Sequence, residues 1–388
     1  MSSAADASFD SADYELRWPR ELVVRELAGL RADTDVRQRQ DRITFLLEEV
    51  FLGETPAHDF AVVASRRPVL NDPWGTPPTS SPDVYLEEQG FLDRLIAELP
   101  QLREHHEPAP YWPARHGRQH ATSSTATAAH RFATLIRDLH ARGYFGRALP
   151  PLCVDDRDPI DESAVLAERL GIPELWPLRP ETWYEDTFFG LVEVFHDLAV
   201  RPRERNLHSY DGCGWHYSGF GTDTGRALYR WRINRLLTSA GVGLRLADNG
   251  EDTGRLIRTV DDGRTDLIHR VLQPQERGVA PRIAHAIAQF RGRGATEHDK
   301  RSAVLTLAGI LEERRDLIKS DVGRKDEGAL FTLANEFAVR HQRRGQQGDY
   351  DPVFLDWMFW WYLATVELTD RILARDADVR PATAPATP

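Results

Sequence analysis

Apolar residues recur at helical spacing through most of this sequence, and this periodicity constrains the fold more than any other feature. Residues 41–51, 85–99 and 187–200 each place apolar side chains three and four positions apart, as one face of an amphipathic helix requires. Strand-like alternation is confined to a short stretch, residues 242–246, that precedes an Asn-Gly turn. The sequence therefore predicts a mainly α fold: an α-rich N-terminal region with minor β structure, followed by a helical bundle.

Capping residues locate the ends of several helices. Asp161 or Ser163 precedes an apolar run, at a position where a side-chain oxygen caps a helix. Thr296 and Asp299 form a capping-box pattern, which opens a helix that we expect to reach about residue 319. Periodicity also predicts helices over residues 14–30, 127–142 and 253–272.

Segments rich in proline, serine and threonine separate the predicted elements. Residues 64–82 and 107–127 have this composition and predict loops or linkers. The Asn-Gly turn at 249–250 marks the main boundary. The predicted organisation is an N-terminal helical region without an assigned role at 1–180, a second domain at 181–252, a helical bundle at 253–375 and a disordered tail at 376–388.

Length and composition exclude several classes of protein. The 388 residues suffice for two or three domains of about 100–200 residues each. The longest apolar run, 353–368, is interrupted by Asp356 and Glu367, so we expect no membrane partner. The polar, acidic N-terminus lacks the features of a signal peptide, which favours the cytoplasm. Phosphate-binding, nucleophile-elbow and zinc-protease motifs are all missing from the sequence.

The net charge of −11 hides an uneven distribution. Residues 1–100 carry 19 acids and 10 arginines, whereas residues 201–235 carry seven arginines and three acids. Residues 282–344 hold 13 basic and nine acidic side chains. Because polyanion binding depends on local density of Lys and Arg, the acidic total does not exclude a nucleic-acid partner. Ordinary solvated helix faces are the alternative interpretation.

One loop contains three potential metal ligands. His208, Cys213 and His216 lie within nine residues, but a fourth ligand for zinc is missing unless His196 or Asp211 supplies it. We therefore predict no metal and no cofactor, and a metal hydrolase using these three residues is the weakest hypothesis. The alternatives are a glycine-containing loop packed on the preceding helix, or a platform that stacks a nucleobase beside the neighbouring arginines.

An aromatic segment near the C-terminus predicts a buried helix. One helical face carries residues that we expect in the core, namely Leu355, Met358, Phe359, Tyr362 and Val366. Three tryptophans fall on the other faces, which favours burial in a dimer or an inter-domain contact. They are Trp357, Trp360 and Trp361.

A histidine at the end of a predicted helix is the first candidate for chemistry. The side chains of Leu330, Ala334, Phe337 and His341 follow one helical stripe, so His341 projects near the buried face beside Arg340. An imidazole exchanges protons near neutral pH, and a guanidinium binds phosphate through paired hydrogen bonds. The alternative is a histidine whose positive form is stabilised by the helix dipole.

Several ordered segments resemble a known family. Residues 282–374 resemble the C-terminal helical domain of abortive-infection (AbiJ-like) proteins, which belongs to the HEPN class (higher eukaryote and prokaryote nucleotide-binding). The segments concerned are HDKRSAVLTLAGILEERR, KDEGALFTLANEFAVRH and YDPVFLDWMFWWYLATVELTDRIL. The region from FFGLVEVFHDLA through HSYDGCGWHYSGF to YRWRINRLL resembles the domain that often precedes it. Together the resemblance covers roughly residues 180–375.

The resemblance implies a bundle that dimerises and brings two copies of a basic–histidine motif together. Active members of this class cleave RNA without a metal, with histidine as acid and base and arginine stabilising the transition state. On this basis the catalytic candidates are His341, Arg340 and Asn335. Those members place an arginine a few residues before the histidine, where this sequence has Asn335, Glu336 and Phe337.

Two functions remain open at this point. The first is an antiphage effector that binds RNA and cleaves it, as a homodimer formed through the C-terminal bundle. The second is a non-enzymatic dimeric scaffold whose bundle binds a protein or a nucleotide. The candidates for contact with RNA are the basic residues Arg226, Arg230, Lys300, Arg301, Arg343 and Arg344.

Overall fold

A computed structural model describes residue 9 and residues 12–33, 36–65, 82–105, 124–155, 159–273, 279–322 and 353–379. The chain divides into two compact units, Met1–Val242 and Gly243–Pro388, which are called the first and second unit below. Both are mainly helical, as predicted. In the described part of the chain, every helix is too short or too polar to cross a membrane.

The first unit contains helices and one β-hairpin. Its helices are α1 (Arg20–Ala32), α2 (Val36–Val50), α3 (Thr55–Ala64), α4 (Pro82–Glu98), α5 (Ser124–Ala141), α6 (Glu162–Leu170), α7 (Glu185–Leu198) and α8 (Thr222–Ser239). The hairpin strands β1 (Glu204–His208) and β2 (Gly214–Ser218) pair antiparallel. Helices α1 to α4 pack together, α1 also contacts α8, and α8 packs on α5 and α7.

Buried aromatic rings pack together in the first unit. Phe132, Phe145, Phe195 and Tyr229 come from four successive parts of the chain and are all buried. Phe145 lies 4.9 Å from Phe195 and 6.4 Å from Tyr229, between ring centroids. These contacts continue across residue 180, where the sequence analysis placed a division. The observed division at 242 also lies before the expected one at 252.

The second unit combines a small hairpin with a helical bundle. Its strands are β3 (Leu244–Leu246) and β4 (Leu256–Arg258), and its helices are α9 (Asp262–Val271), α10 (Ala280–Arg291), α11 (Glu297–Glu313) and α12 (Val353–Val379). A helical turn at Arg315–Leu317 and a π-helix at Ile318–Val322 follow α11. Helix α11 packs between α10 and α12, and α9 packs on α12.

The predicted core face of α12 is confirmed. All five of its residues are fully buried, and the Phe359 ring stacks on Phe290 of α10 at 3.8 Å. Trp360 is half-buried, 6.1 Å from Phe290, whereas Trp357 is 48% exposed and stacks on Trp361. Burial of these tryptophans against a second chain or another domain stays a prediction. The helix continues to Val379, so the prediction of a disordered tail at 376–388 is wrong for residues 376–379.

Two predicted helices are wrong in part. The helix expected over 14–30 begins only at Arg20, because Pro19 holds an extended backbone with φ −56° and ψ 133°. The helix expected over 253–272 begins only at Asp262. Its first part forms β4, which pairs with β3, and the Asp261 side chain then caps α9 by accepting from the Arg264 N–H.

Candidate metal centre

The tip of the β1–β2 hairpin carries two histidines and a cysteine on a tight turn. In the strand register His208 lies opposite Gly214, so His216 is its diagonal neighbour on the same face. The turn between the strands uses left-handed backbone at Asp211, Gly212 and Gly214, with φ of 48°, 75° and 86°. Space around both glycines is open, so backbone conformation is the reason for glycine there.

Packing of the hairpin on helix α5 and the following turn brings a second cysteine to its tip. Gly143 has φ 77°, and a Cβ at this position would overlap the ring of Tyr217. The Tyr217 hydroxyl donates to the Ala141 carbonyl at 3.1 Å. The chain then runs from this turn to Cys153, whose thiol lies beside Cys213 although 60 residues separate them in sequence.

Four potential ligand atoms converge at this point. One atom from each of Cys153, His208, Cys213 and His216 lies within 4.8 Å of all the others. The two Sγ atoms are 3.7 Å apart, and Cys153 Sγ is 3.6 Å from His208 Nδ1. A tetrahedral zinc ion with ordinary Zn–S and Zn–N bonds has S···S and S···N edges of about 3.8 and 3.6 Å. The observed spacings therefore fit the edges of a zinc tetrahedron.

Neighbouring groups contact one thiol and one imidazole of the cluster. The Val154 N–H donates to Cys213 Sγ at 3.4 Å, so the backbone after Cys153 helps to hold the Cys213 sulfur in place. Because Nδ1 of His208 faces Cys153, its Nε2 points away and lies 3.8 Å from an Asp155 carboxylate oxygen. Metal-bound histidines commonly present their second nitrogen to a carboxylate in this way.

An orphaned nitrogen also fits a metal ion. Nε2 of His216 is buried, and none of the described groups forms a hydrogen bond with it. A buried polar atom without a partner is costly, and the cysteine and histidine ligands around it are those that zinc prefers. Four protein ligands complete the coordination shell, so the arrangement is typical of a structural site and leaves no position for a substrate.

Three of these ligands were predicted from the sequence, and the fourth was not. The predicted candidates for the fourth position were His196 and Asp211, and the structure places neither in the cluster. His196 is instead buried between α7 and α8, where its Nε2 lies 3.0 Å from Arg230 and its Nδ1 3.1 Å from Asp197. Cys153 is the missing ligand. The sequence predicted no metal because a fourth ligand was missing. Cys153 supplies that ligand, so this reason no longer applies.

The residues proposed to contact RNA lie in several places. Arg226 donates to the Asp197 carbonyl at 3.0 Å, and Arg230 contacts His196, so both are tied to the region where α7 and α8 meet. In the second unit Lys300 pairs with Asp356 at 2.9 Å, and Arg301 pairs with Glu297 one turn earlier. These three arginines and one lysine therefore make contacts within their own unit. Their contact with RNA stays a prediction.

The candidates for RNA cleavage lie outside the described residues. They are Asn335, Arg340 and His341. Arg343 and Arg344, which are predicted to contact RNA, also lie outside the described residues. Their roles stay predictions that rest on the sequence and on the AbiJ-like resemblance.

Comparisons with known proteins give no relative. No family model, no curated protein and no solved structure matches this chain. The AbiJ-like resemblance therefore stays a prediction, and the Cys–His cluster is interpreted from its own geometry.

Proposed function

We propose that the first unit binds one zinc ion through Cys153, His208, Cys213 and His216. The observation that carries this proposal is the convergence of four ligand atoms within 4.8 Å of one another, with an S–S and an S–N spacing that match the edges of a zinc tetrahedron. The ion completes its shell with protein ligands and so has a structural role. It ties the segment that follows α5 to the tip of the hairpin.

The hairpin needs such a support. It has two strands of five residues each, and an isolated two-stranded hairpin is marginally stable in water. Arg42 pairs with Glu204 at its open end, and Tyr217 packs on Gly143, but its tip has an exposed Tyr210 and Leu207. A zinc ion at the tip adds a cross-link there. At a free zinc concentration about 1,000 times the Kd, binding stabilises the folded chain by about 4 kcal/mol.

The test is metal analysis of the full chain purified without a histidine tag. We expect one zinc ion per chain and, after exchange with Co²⁺, the absorption bands of tetrahedral cobalt with thiolate ligands. Cys153→Ser, Cys213→Ser and His216→Asn should each lose the metal. The matched control is His130→Asn on the exposed face of α5, which should keep it. Purified chain that holds no zinc and takes up no cobalt would overturn the proposal.

A graded variant tests how the site is oriented. Asp155→Asn keeps the four ligands but weakens the interaction with His208 Nε2. Changes of this kind lower metal affinity by about 10–100-fold. A competition titration with a chromogenic chelator measures the difference, and an unchanged affinity would show that Asp155 does not orient the ligand.

We propose, as a second and separate function, that the chain acts on RNA in antiphage defence. The AbiJ-like resemblance motivates this function, with His341, Arg340 and Asn335 in the catalytic roles, in a cytoplasmic homodimer formed through the C-terminal bundle. A groove in the first unit favours it too, because four arginines and Trp231 line that groove. The alternative is the non-enzymatic scaffold with the same dimer.

Expression in bacterial cells separates these two alternatives. If the chain cleaves RNA, the wild type slows growth and degrades cellular RNA, and His341→Ala abolishes both effects. Equal toxicity of the two proteins, or none from either, contradicts catalysis. The scaffold predicts that His341→Ala is silent, whereas Trp357→Glu on the exposed part of α12 disrupts the dimer in a sedimentation experiment.

A further inference from the structure

A groove on the first unit is lined by cations and by two tryptophans, the half-buried Trp231 and the buried Trp18. It consists of two adjoining cavities of about 290 and 380 Å³. Both are lined by Arg17, His105, Trp231 and Arg235, so they form one continuous groove. Its walls come from the segment before α1, the end of the segment after α4, and helices α5 and α8. Volumes of about 300–1,000 Å³ are typical of ligand sites.

The charge in this groove is mainly positive. Arg17, Arg131, Arg232 and Arg235 line it together with one carboxylate, Glu104. Glu104 lies 3.4 Å from Arg20, a cation outside the groove lining, which already balances it. The basic residues therefore outnumber the acidic ones where a ligand would lie, and anions are attracted to such a concave surface.

The pKa of Arg17 reflects the same excess of positive charge. Burial lowers the pKa of Arg17, and the nearby guanidiniums of Arg142 and Arg232 lower it further. Asp138 lies 3.0 Å from Arg142 and 3.4 Å from Arg232, so one carboxylate serves two arginines. An anion bound in the groove would relieve this repulsion between like charges.

Trp231 adds a stacking surface to the cations. The Arg235 guanidinium lies over its indole ring, with Cζ 4.7 Å from the ring centroid. The tryptophan is half-buried and lines both cavities. Leu135 and Leu236 add apolar surface beside it. Flat aromatic surface next to arginines is the combination that holds single-stranded nucleic acids, because bases stack while phosphates pair with the guanidiniums.

We propose that this groove binds a single-stranded polynucleotide, with a base stacked at Trp231 and phosphates held by Arg17, Arg131 and Arg235. The inference rests on the proposed action on RNA, which makes RNA the expected ligand over single-stranded DNA. A duplex keeps its bases stacked inside the helix and cannot use the tryptophan. An acidic peptide would use the arginines alone.

The experiment is a fluorescence-anisotropy titration of the full chain with labelled RNA of about 10 nucleotides, within the range of sites per single-strand-binding module. We expect Trp231→Ala to weaken binding about 5–100-fold and Trp231→Phe to restore most of it. Arg131→Ala should weaken binding to all sequences and lower the slope of log affinity against log salt by about 1.

A matched control lies on the same helix. Arg137 is exposed on α5 and its side chain reaches only Thr134 among the described residues, so Arg137→Ala should leave binding and salt slope unchanged. Equal losses in Arg131→Ala and Arg137→Ala would overturn the groove, since binding would then follow net charge. Full binding by Trp231→Ala, or equal binding of duplex RNA or polyglutamate, would also overturn it.

Two further arms separate the groove from the proposed function. Single-stranded DNA bound as tightly as RNA would overturn RNA as the ligand. RNA cleavage that depends on His341 but survives Trp231→Ala and Arg131→Ala would overturn the groove alone. RNA binding that depends on Trp231 without any cleavage in cells would overturn catalysis and support the groove.

Discussion

The two units bury charge in different ways. In the first unit, carboxylates and arginines are buried together, and the buried ones within the described part of this unit are Glu26, Arg39, Glu49, Glu88 and Arg201. In the second unit, the buried charged residues among those described are Arg291 and Arg314, set beside a core of apolar side chains. In the first unit buried carboxylates thus face buried arginines inside the apolar core, whereas in the second unit the buried Arg314 pairs with the partly exposed Asp370 at 2.7 Å.

Arg201 is the centre of the charge pairing in the first unit. Its guanidinium donates to Glu26 at 2.9 Å and lies 3.4 Å from Glu49. Burial raises the pKa of Glu49, although Arg201 and the Tyr144 hydroxyl oppose the shift. For Glu26, burial also raises the pKa, but Arg201 together with Thr224 and Arg203 outweighs it and the net pKa is lowered.

Such a network determines which helices pack together more than it stabilises the fold. Desolvation of a buried pair cancels much of its attraction, so a well-packed apolar replacement is often as stable. Arg201, however, lies beside both carboxylates only when α1 and α2 both pack against it. In the second unit Arg291 donates to the Arg258 carbonyl at 3.1 Å, and burial lowers the pKa of Arg291 to about 10.

The largest effect is expected from Arg201→Met. The substitution leaves Glu26 and Glu49 buried without their main partner, which costs about 3–5 kcal/mol of the free energy of unfolding. Chemical denaturation measures the loss in the free energy of unfolding, and hydrogen exchange should locate that loss in the first unit. The exposed Arg371→Met in α12 is the control. A neutral or more stable Arg201→Met would show that the network is dispensable.

A comparable loss in the second unit should come from an apolar residue. Leu307 of α11 is fully buried in the bundle core, and Leu307→Ala creates a cavity that costs about 2–5 kcal/mol. Leu368→Ala, at a position that is 42% exposed on α12, should change stability by less than about 0.5 kcal/mol. Equal effects of the two would contradict the apolar account of this unit.

Acid should weaken the first unit through His196. Burial lowers the pKa of His196 to about 4, with Arg230 adding to the shift and Asp197 opposing it. Between pH 6.5 and 4 the unfolded chain binds a proton that the folded chain does not, so stability falls as pH falls. The full contribution is roughly 3 kcal/mol.

Denaturation midpoints at several pH values check this sign. His196→Gln removes the titrating group, so the dependence of stability on pH should become flatter by the same amount. An unchanged slope in this variant would mean that other groups control acid sensitivity.

The smallest effect is expected at the start of α11. Thr296 accepts from the Asp299 N–H, and Asp299 accepts from the Thr296 N–H, which completes a capping box. Thr296→Ala should cost about 1 kcal/mol in the second unit. Thr306→Ala in the interior of the same helix provides the comparison, and an equal loss there would argue against a capping effect.

Local signals predicted much of the helical structure. The capping box at Thr296 is confirmed, and Asp161 is the residue that caps α6, by accepting from the Ala164 N–H. Such caps depend on atoms within one turn of each other, so sequence spacing is enough to find them. The helix predicted over 253–272 is wrong in its first part, because β4 forms there and pairs with β3. Periodicity within the segment does not reveal such pairing.

The candidate metal site shows the same division. Spacing within one loop revealed His208, Cys213 and His216 as potential ligands, since the hairpin turn alone holds them close. Cys153 stands 55 residues before His208 and has no spacing signal of its own. The chain has two cysteines, and Cys153 is therefore the second thiol that could join a site containing Cys213.

The sequence by itself determined where most described helices lie, which residues cap them and which face of α12 is buried. These properties arise from hydrogen bonds and side-chain periodicity over a few residues, and they are encoded locally. Tertiary structure alone decided that Cys153 completes the cluster, that Arg201 joins Glu26 and Glu49, and that Trp231 lies among arginines. Those contacts exist because packing brings distant segments together and offsets the entropy of closing long loops, which no local pattern records.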